Sequence, residues 1–173
     1  MASKLDVMID LETVGKKAGC GILQIGACTF DEAYQFSIGI DPIDARKYLK
    51  EDPDTLRWWS GQLPEIREKA FSGTTPLIVA LNSFRDWLGG LPAAKNDIEV
   101  WGNGADFDLP ILQGAYTAID QEAPWAPFSG RCYRTLKTRL AHVPMQTREL
   151  PKHLALNDAI EQARHARLLL QML

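Results

Sequence analysis

Residues Val7-Met8-Ile9-Asp10-Leu11-Glu12-Thr13 alternate apolar and polar side chains, the pattern of a half-buried β-strand. Successive side chains on a strand point to opposite faces, so Asp10 and Glu12 must share one face. Two carboxylates so placed repel each other and cost stability unless something positive sits between them. The simplest compensating group is a hard divalent cation, for which carboxylate oxygen is the preferred ligand. Phosphate chemistry is the first reaction class that this strand suggests.

The 173-residue chain is long enough to bury a core without disulfides or a structural metal, and it reads as a single domain, 1–173. Its net charge of −3 carries no signature of broad nucleic-acid binding, although an enzyme acting on single ends needs only a local basic patch. Cys20, Cys28 and Cys132 are odd in number and lack C-x-x-C spacing, so reduced thiols and a cytoplasmic setting are expected. No run approaches the ~18 consecutive apolar residues of a membrane span. Met1-Ala2-Ser3-Lys4 leads straight into a strand, so no signal peptide is expected.

After the acidic strand comes a loop with Gly15, Gly19 and Gly21, then a strand Ile22–Phe30. A turn at Asp31-Glu32 joins it to Tyr34–Ile40, forming a hairpin. From about residue 53 the pattern becomes helical, with Pro53 in a first turn and Asp54 favoured by the helix dipole. Thr75-Pro76 reads as a cap and first position of a helix that runs to Leu88 and stops at Gly89-Gly90. A short strand is expected at Ile98–Trp101, a helix at Leu109–Ile119, and a further strand near Gly130–Tyr133. A short basic helix follows near Thr135–Leu140. The last helix, Ala155–Met172, carries Ala159, Ala163, Ala166 and Leu170 as its packed stripe. Hairpin strands followed by alternating helix and strand predict a mixed α/β layer architecture.

Three further residues bear on the chemistry. Asp108 closes Trp101-Gly102-Asn103-Gly104-Ala105-Asp106-Phe107-Asp108 at a strand-to-helix junction, where helix capping is the plain alternative to a functional role. Asp106 competes with it, and Phe107 is expected to point into the core between them. Asp158 lies at the border of the buried face of the last helix, where a favourable dipole interaction also accounts for it. His153 stands five residues before Asp158. His142 and His165 have nothing acidic arranged around them and read as ordinary polar or core residues.

D-x-E on a first strand, N-x-x-x-F-D after a later one, and H-x-x-x-x-D opening a late helix together resemble the DnaQ-like (DEDDh) 3′–5′ exonucleases. Thr55–Gln62, Arg134-Thr135-Leu136-Lys137 and the His153–Ala159 run are similar to one branch, the bacteriophage exonuclease and mycobacterial-type exoribonuclease group. Leu154 follows His153 where a polar residue is frequent in that branch. The resemblance spans Asp6 to about Leu169.

The resemblance implies a ribonuclease-H-like fold, with three antiparallel N-terminal strands plus two parallel ones flanked by helices. It implies two Mg²⁺ or Mn²⁺ ions held by Asp10, Glu12, Asp108 and Asp158, with His153 as general base. It places Thr13 and Asn103 against the substrate, single-stranded 3′ ends or short oligonucleotides of DNA or RNA. Trp58 and Trp59 are further candidates for stacking on bases, and Gln62 for a base edge. Adjacent helical positions point ~100° apart, so one tryptophan is expected buried and one exposed. Lys16, Lys17 and the set Arg131, Arg134, Lys137 and Arg139 are candidate phosphate guides or simply solvated faces. Several relatives dimerise, so a homodimer is compatible with the reading. The competing reading is a non-catalytic nucleic-acid-binding or interaction module on the same scaffold.

Overall fold

In the computed structural model, which describes residues 4–173, the acidic strand runs through the middle of a five-stranded sheet. β1 (Leu5–Thr13) pairs antiparallel with β2 (Ile22–Thr29) and parallel with β4 (Ile98–Gly102). β3 (Gln35–Gly39) lies antiparallel outside β2, and β5 (Gly130–Cys132) lies parallel outside β4. The order is β3-β2-β1-β4-β5, the mixed sheet expected from the sequence. The hairpin turns where expected, with Glu32 in the left-handed region at φ 62°.

The helices are α1 (Pro42–Ala45), α2 (Pro53–Ser60), α3 (Pro64–Phe71), α4 (Leu77–Gly89), α5 (Asp108–Ala118), α6 (Tyr133–Arg139) and α7 (Ala155–Leu170). Among the described residues, no helix is long and apolar enough to cross a membrane.

β1 is buried along both faces, not half-buried. Val7, Ile9 and Leu11 pack into a core shared with α4 and α5, through Phe84, Ile111 and Tyr116 among others. Met8, on the opposite face, belongs to a second core made with α6 and α7, through Tyr133, Ala159 and Ala163. Asp10 and Glu12 continue the face of Met8, so the alternation sorts residues between two covered sides. A smaller core joins Val14 and Leu23 to Trp59 and Ala70, and seats α2 and α3 beside the end of β1.

The helix starts differ in what secures them. Asp52 caps α2, accepting from the Asp54 backbone N–H at 3.2 Å, with Pro53 at the first position as expected. α4 begins one residue later than Thr75-Pro76 suggested. Thr75 is used in a bridge to Ile40, and the Asp44 carboxylate from α1 accepts the Leu77 N–H at 2.8 Å instead. On α7 the fully buried position near the carboxyl end is Leu169 rather than Leu170, and the helix ends at Leu170. His165 is a buried core histidine whose Nδ1 lies 2.8 Å from the Tyr133 hydroxyl, linking α6 to α7.

One glycine sets the distance between α7 and the sheet. Gly26 pairs directly with Asp10 across β1 and β2. A Cβ there would lie 2.1 Å from the Leu156 nitrogen and 2.2 Å from the Ala155 carbonyl carbon, both backbone atoms. Nothing flexible can move aside, so only glycine lets the start of α7 come down onto β2. Gly26→Ala is expected to cost roughly 1–3 kcal/mol or more by overpacking. A thermal melt beside a turnover assay checks this, and the variant should lose activity beyond what its lowered melting temperature explains.

Candidate active site

Four carboxylates come together where the carboxyl ends of β1 and β4 meet the first turns of α5 and α7. Asp10 and Glu12 project from β1 toward α7, which presents Asp158 in its first turn. Asp108 is the first residue of α5, and its backbone cap is Phe107, so it does not serve as the helix's side-chain cap. Its carboxylate crosses instead to the sheet, accepting the Leu11 N–H at 3.2 Å and the Asn103 N–H at 2.8 Å. These are backbone donors of β1 and of the turn after β4, left unpaired where β4 ends. Asp106 is exposed, which settles the competition in favour of Asp108 as the inward residue.

His153 joins the group from the turn before α7. Ligand atoms of Glu12, His153 and Asp158 all lie within 4.8 Å of one another. The His153 backbone is left-handed, φ 61°, and its N–H donates to Asp158 Oδ2 at 3.0 Å. Its imidazole stands edge-on to Trp58, with ring centroids 5.2 Å apart. Trp58 is 45% exposed while Trp59 is 2% exposed, the division expected for neighbours on a helix. Trp59 donates its indole N–H to the Thr13 carbonyl at 2.8 Å, so it fixes Thr13 in place and offers little free surface.

These side chains line a cleft of about 530 Å³, with Leu11, Thr13 and Phe107 among its walls. Phe107 only partly enters the core and shows its remaining surface to the cleft. Asn103 stands beside Asp108, and its Oδ1 is buried without a partner among the described residues. Gln62 is outside the lining, with its amide donating to the Trp58 carbonyl at 3.3 Å.

Two residues here escaped the sequence reading. Gln162, one turn after Asp158 on the same face of α7, donates to Asp10 Oδ1 at 2.7 Å and leaves its own Oε1 buried and unpartnered. Its i+4 spacing from Asp158 was the available signal. Arg148 donates through its guanidinium to Asp158 Oδ1 and to the Leu150 carbonyl at 2.7 Å. It comes from the irregular segment before α7, where no periodicity places a side chain.

The electrostatics follow from crowding and burial. Burial raises the Asp10 carboxyl well above the usual range, and the charges of Asp108, Asp158 and Glu12 add to it. Glu12 is pushed up to about 8, first by burial and then by Asp158 and Asp108, with Arg148 opposing. Burial takes Asp108 to about 6, held down from there by the N–H donors of Asn103 and Leu11. A cluster so reluctant to ionise, with Arg148 paired to Asp158, Arg134 near Asp108 and two unpartnered amide oxygens close by, has the chemistry of a site for divalent metal.

A pH dependence follows. Folded-state values above those of the unfolded chain mean that the metal-free folded protein holds protons the unfolded chain has released. That contribution is complete below the unfolded carboxylate range, and is lost as pH rises through about 6 for Asp108 and about 8 for Glu12. In EDTA the protein is therefore expected to lose on the order of 5 kcal/mol of stability between about pH 5 and about pH 9. Mn²⁺ should restore it most at the alkaline end. Thermal melts across that range check both, and Glu12→Gln should flatten the metal-free profile.

The mixed five-stranded sheet is that of the ribonuclease-H-like fold, and three solved structures share it. The nuclease domain of 3′hExo, a DEDDh family member bound to rAMP, is 15% identical with a TM-score of 0.66, the match covering 98% of this chain and 94% of that one. A full-length 3′-exonuclease is 13% identical with a TM-score of 0.63, covering 99% and 84%. Cell-death related nuclease 4 (CRN-4) is 13% identical with a TM-score of 0.59, covering 98% and 64%. No curated protein sequence matches this chain. The profile of the 3′-5′ exoribonuclease Rv2179c-like domain matches residues 5–170. The chain belongs to that family, and it is a hydrolase of the 3′–5′ exonuclease type.

Proposed function

We propose that this enzyme removes nucleoside 5′-monophosphates one at a time from the 3′ end of single-stranded RNA, using two divalent metal ions. The observation that carries the reading is one cleft lined by Asp10, Glu12, Asp158 and His153, with Asp108 buried behind it and close enough to act on Asp10. The choice of RNA is supported by the family's description as exoribonucleases and by the rAMP bound to one structural neighbour.

In this reading the four carboxylates hold Mg²⁺ or Mn²⁺. The ions supply Lewis-acid stabilisation of the phosphate oxygens and a lowered pKa of water when bound. His153 accepts the proton of the attacking water. Its ring is held for that task by the Asp158 contact to its backbone and by Trp58 and Trp59 at its edge. Trp58 offers an exposed face to a base, and Thr13, braced by Trp59, offers its backbone to the terminal nucleotide. Phe107 closes the apolar side of the cleft. Asn103 keeps its amide oxygen buried beside Asp108, and its backbone N–H holds the Asp108 carboxylate.

The test is product analysis on matched RNA and DNA oligonucleotides labelled at the 5′ end. A ladder shortening from the 3′ end, faster on RNA, with nucleoside 5′-monophosphates released, is the expected result. Equal rates on the two sugars would overturn the RNA assignment. Cleavage of a closed circular strand would overturn the exonuclease reading, because a circle has no end.

A further inference from the structure

The loop that follows β1 opens a second cleft beside the first. Its backbone is pinned at several points. Val14 N–H donates to the Gly21 carbonyl at 2.9 Å, Gly21 N–H to Lys50 at 2.8 Å, and Lys50 N–H to Gly19 at 2.9 Å. Asp52 N–H donates to Val14 at 2.7 Å. The cleft so fixed has a volume of about 560 Å³, and Lys16, Lys17, Lys50 and Tyr48 stand on its walls. Gly15 and Lys16 line both this cleft and the carboxylate pocket, so the two are continuous.

The charge within it is unbalanced. Glu51 is engaged by Arg46 at 2.8 Å, and the Asp52 oxygens accept from the Asp54 N–H and the Thr55 hydroxyl at the start of α2. Lys16 faces Asp52 only at longer range. Lys16, Lys17 and Lys50 are exposed, and among the described residues none of them has an ion-pair partner within 4.0 Å. The other basic set is partly committed elsewhere: Arg131 is bonded twice to Glu99, and Lys137 lies over the Tyr133 ring. Tyr48, 39% exposed, supplies an aromatic face on the wall of the same cleft. Unpaired lysines on a fixed backbone with an exposed ring suit a single strand, whose phosphates take the charge and whose bases stack.

We infer that this cleft is a second nucleotide subsite, holding the part of a single-stranded substrate that adjoins the terminal nucleotide. Lys16, Lys17 and Lys50 pair with its phosphates, and the Tyr48 ring stacks on a base. The inference rests on the exonuclease reading, which puts the terminal nucleotide in the carboxylate pocket.

The test is fluorescence anisotropy with a 5′-labelled pentaadenylate in Ca²⁺ buffer across a range of NaCl. The Lys17→Gln/Lys50→Gln protein is expected to bind about 10-fold more weakly at low salt. The slope of log Kd against log salt should fall by ~1.4, two single-strand phosphate contacts. Tyr48→Ala should weaken binding roughly 5- to 100-fold and leave that slope in place. Unchanged affinity and unchanged slope in the double variant would overturn the subsite. Hydrolysis of the nitrophenyl ester of thymidine 5′-monophosphate with Mn²⁺, which fills only the terminal pocket, examines the exonuclease reading separately. A wild-type protein inactive on that ester sinks the exonuclease reading, while the anisotropy comparison still decides the subsite.

Discussion

Asp10→Asn is expected to abolish turnover, by on the order of 10³-fold or more, and at the same time to stabilise the metal-free protein. The two effects have one cause. Asp10 sits among three other carboxylates, and both its burial and their charges oppose its ionisation. An asparagine has the same shape, and its carbonyl oxygen can still accept from Gln162, so the packing beneath α7 is kept. What disappears is a buried charge that only a bound cation could make favourable. In EDTA near pH 8 the variant should melt about 3–8 °C higher than the parent. With Mn²⁺ the order should reverse, because the parent gains binding energy that the variant has lost. Differential scanning calorimetry with and without metal, beside a turnover assay, reads all of this. A variant that melts lower than its parent in EDTA would show that Asp10 is a structural acceptor rather than a strained ligand.

The sequence made the site legible because its residues are tied to regular structure. Asp10 and Glu12 share a strand face, which fixes their direction from spacing alone. Asp158 borders the packed stripe of α7, so its orientation followed once that stripe was seen. Position beside a tryptophan pair worked in the same way, since helix geometry forced Trp58 and Trp59 apart. What could not be read lies between elements or depends on a distant partner. Asp44 secures the start of α4 from another helix, 33 residues away in the chain, so a local rule chose Thr75 instead. Leu169 and Leu170 differ by one position at a helix end, where local periodicity does not say which of them is fully buried in the second core. β1 looked half-buried because acidic residues interrupt it, and only the cover of α7 shows that they lie inside. Arg148 reaches Asp158 from a segment without periodicity, and nothing in its neighbours announces it. Gly26 carried no signal at all until the backbone of α7 was seen against it.

His153→Ala separates proton transfer from metal binding. The imidazole is within reach of Glu12 and Asp158, yet it is held by its own backbone and by tryptophan edges rather than by packing deep in a core. Its removal therefore opens surface in the cleft without leaving a buried polar partner, and the melting temperature should move little. Mn²⁺ affinity, read by calorimetry, should stay within a few-fold of the parent, because the four carboxylates remain. Turnover should fall by roughly 10²–10⁴-fold, the range for loss of a general base. The left-handed backbone at φ 61° adds a control. His153→Asn tolerates that conformation better than alanine but supplies no base, so it should be as inactive as His153→Ala while melting at least as high. If instead Mn²⁺ binding collapses in both variants and turnover falls only in proportion, His153 is a metal ligand alongside Glu12 and Asp158, and the proton is taken elsewhere.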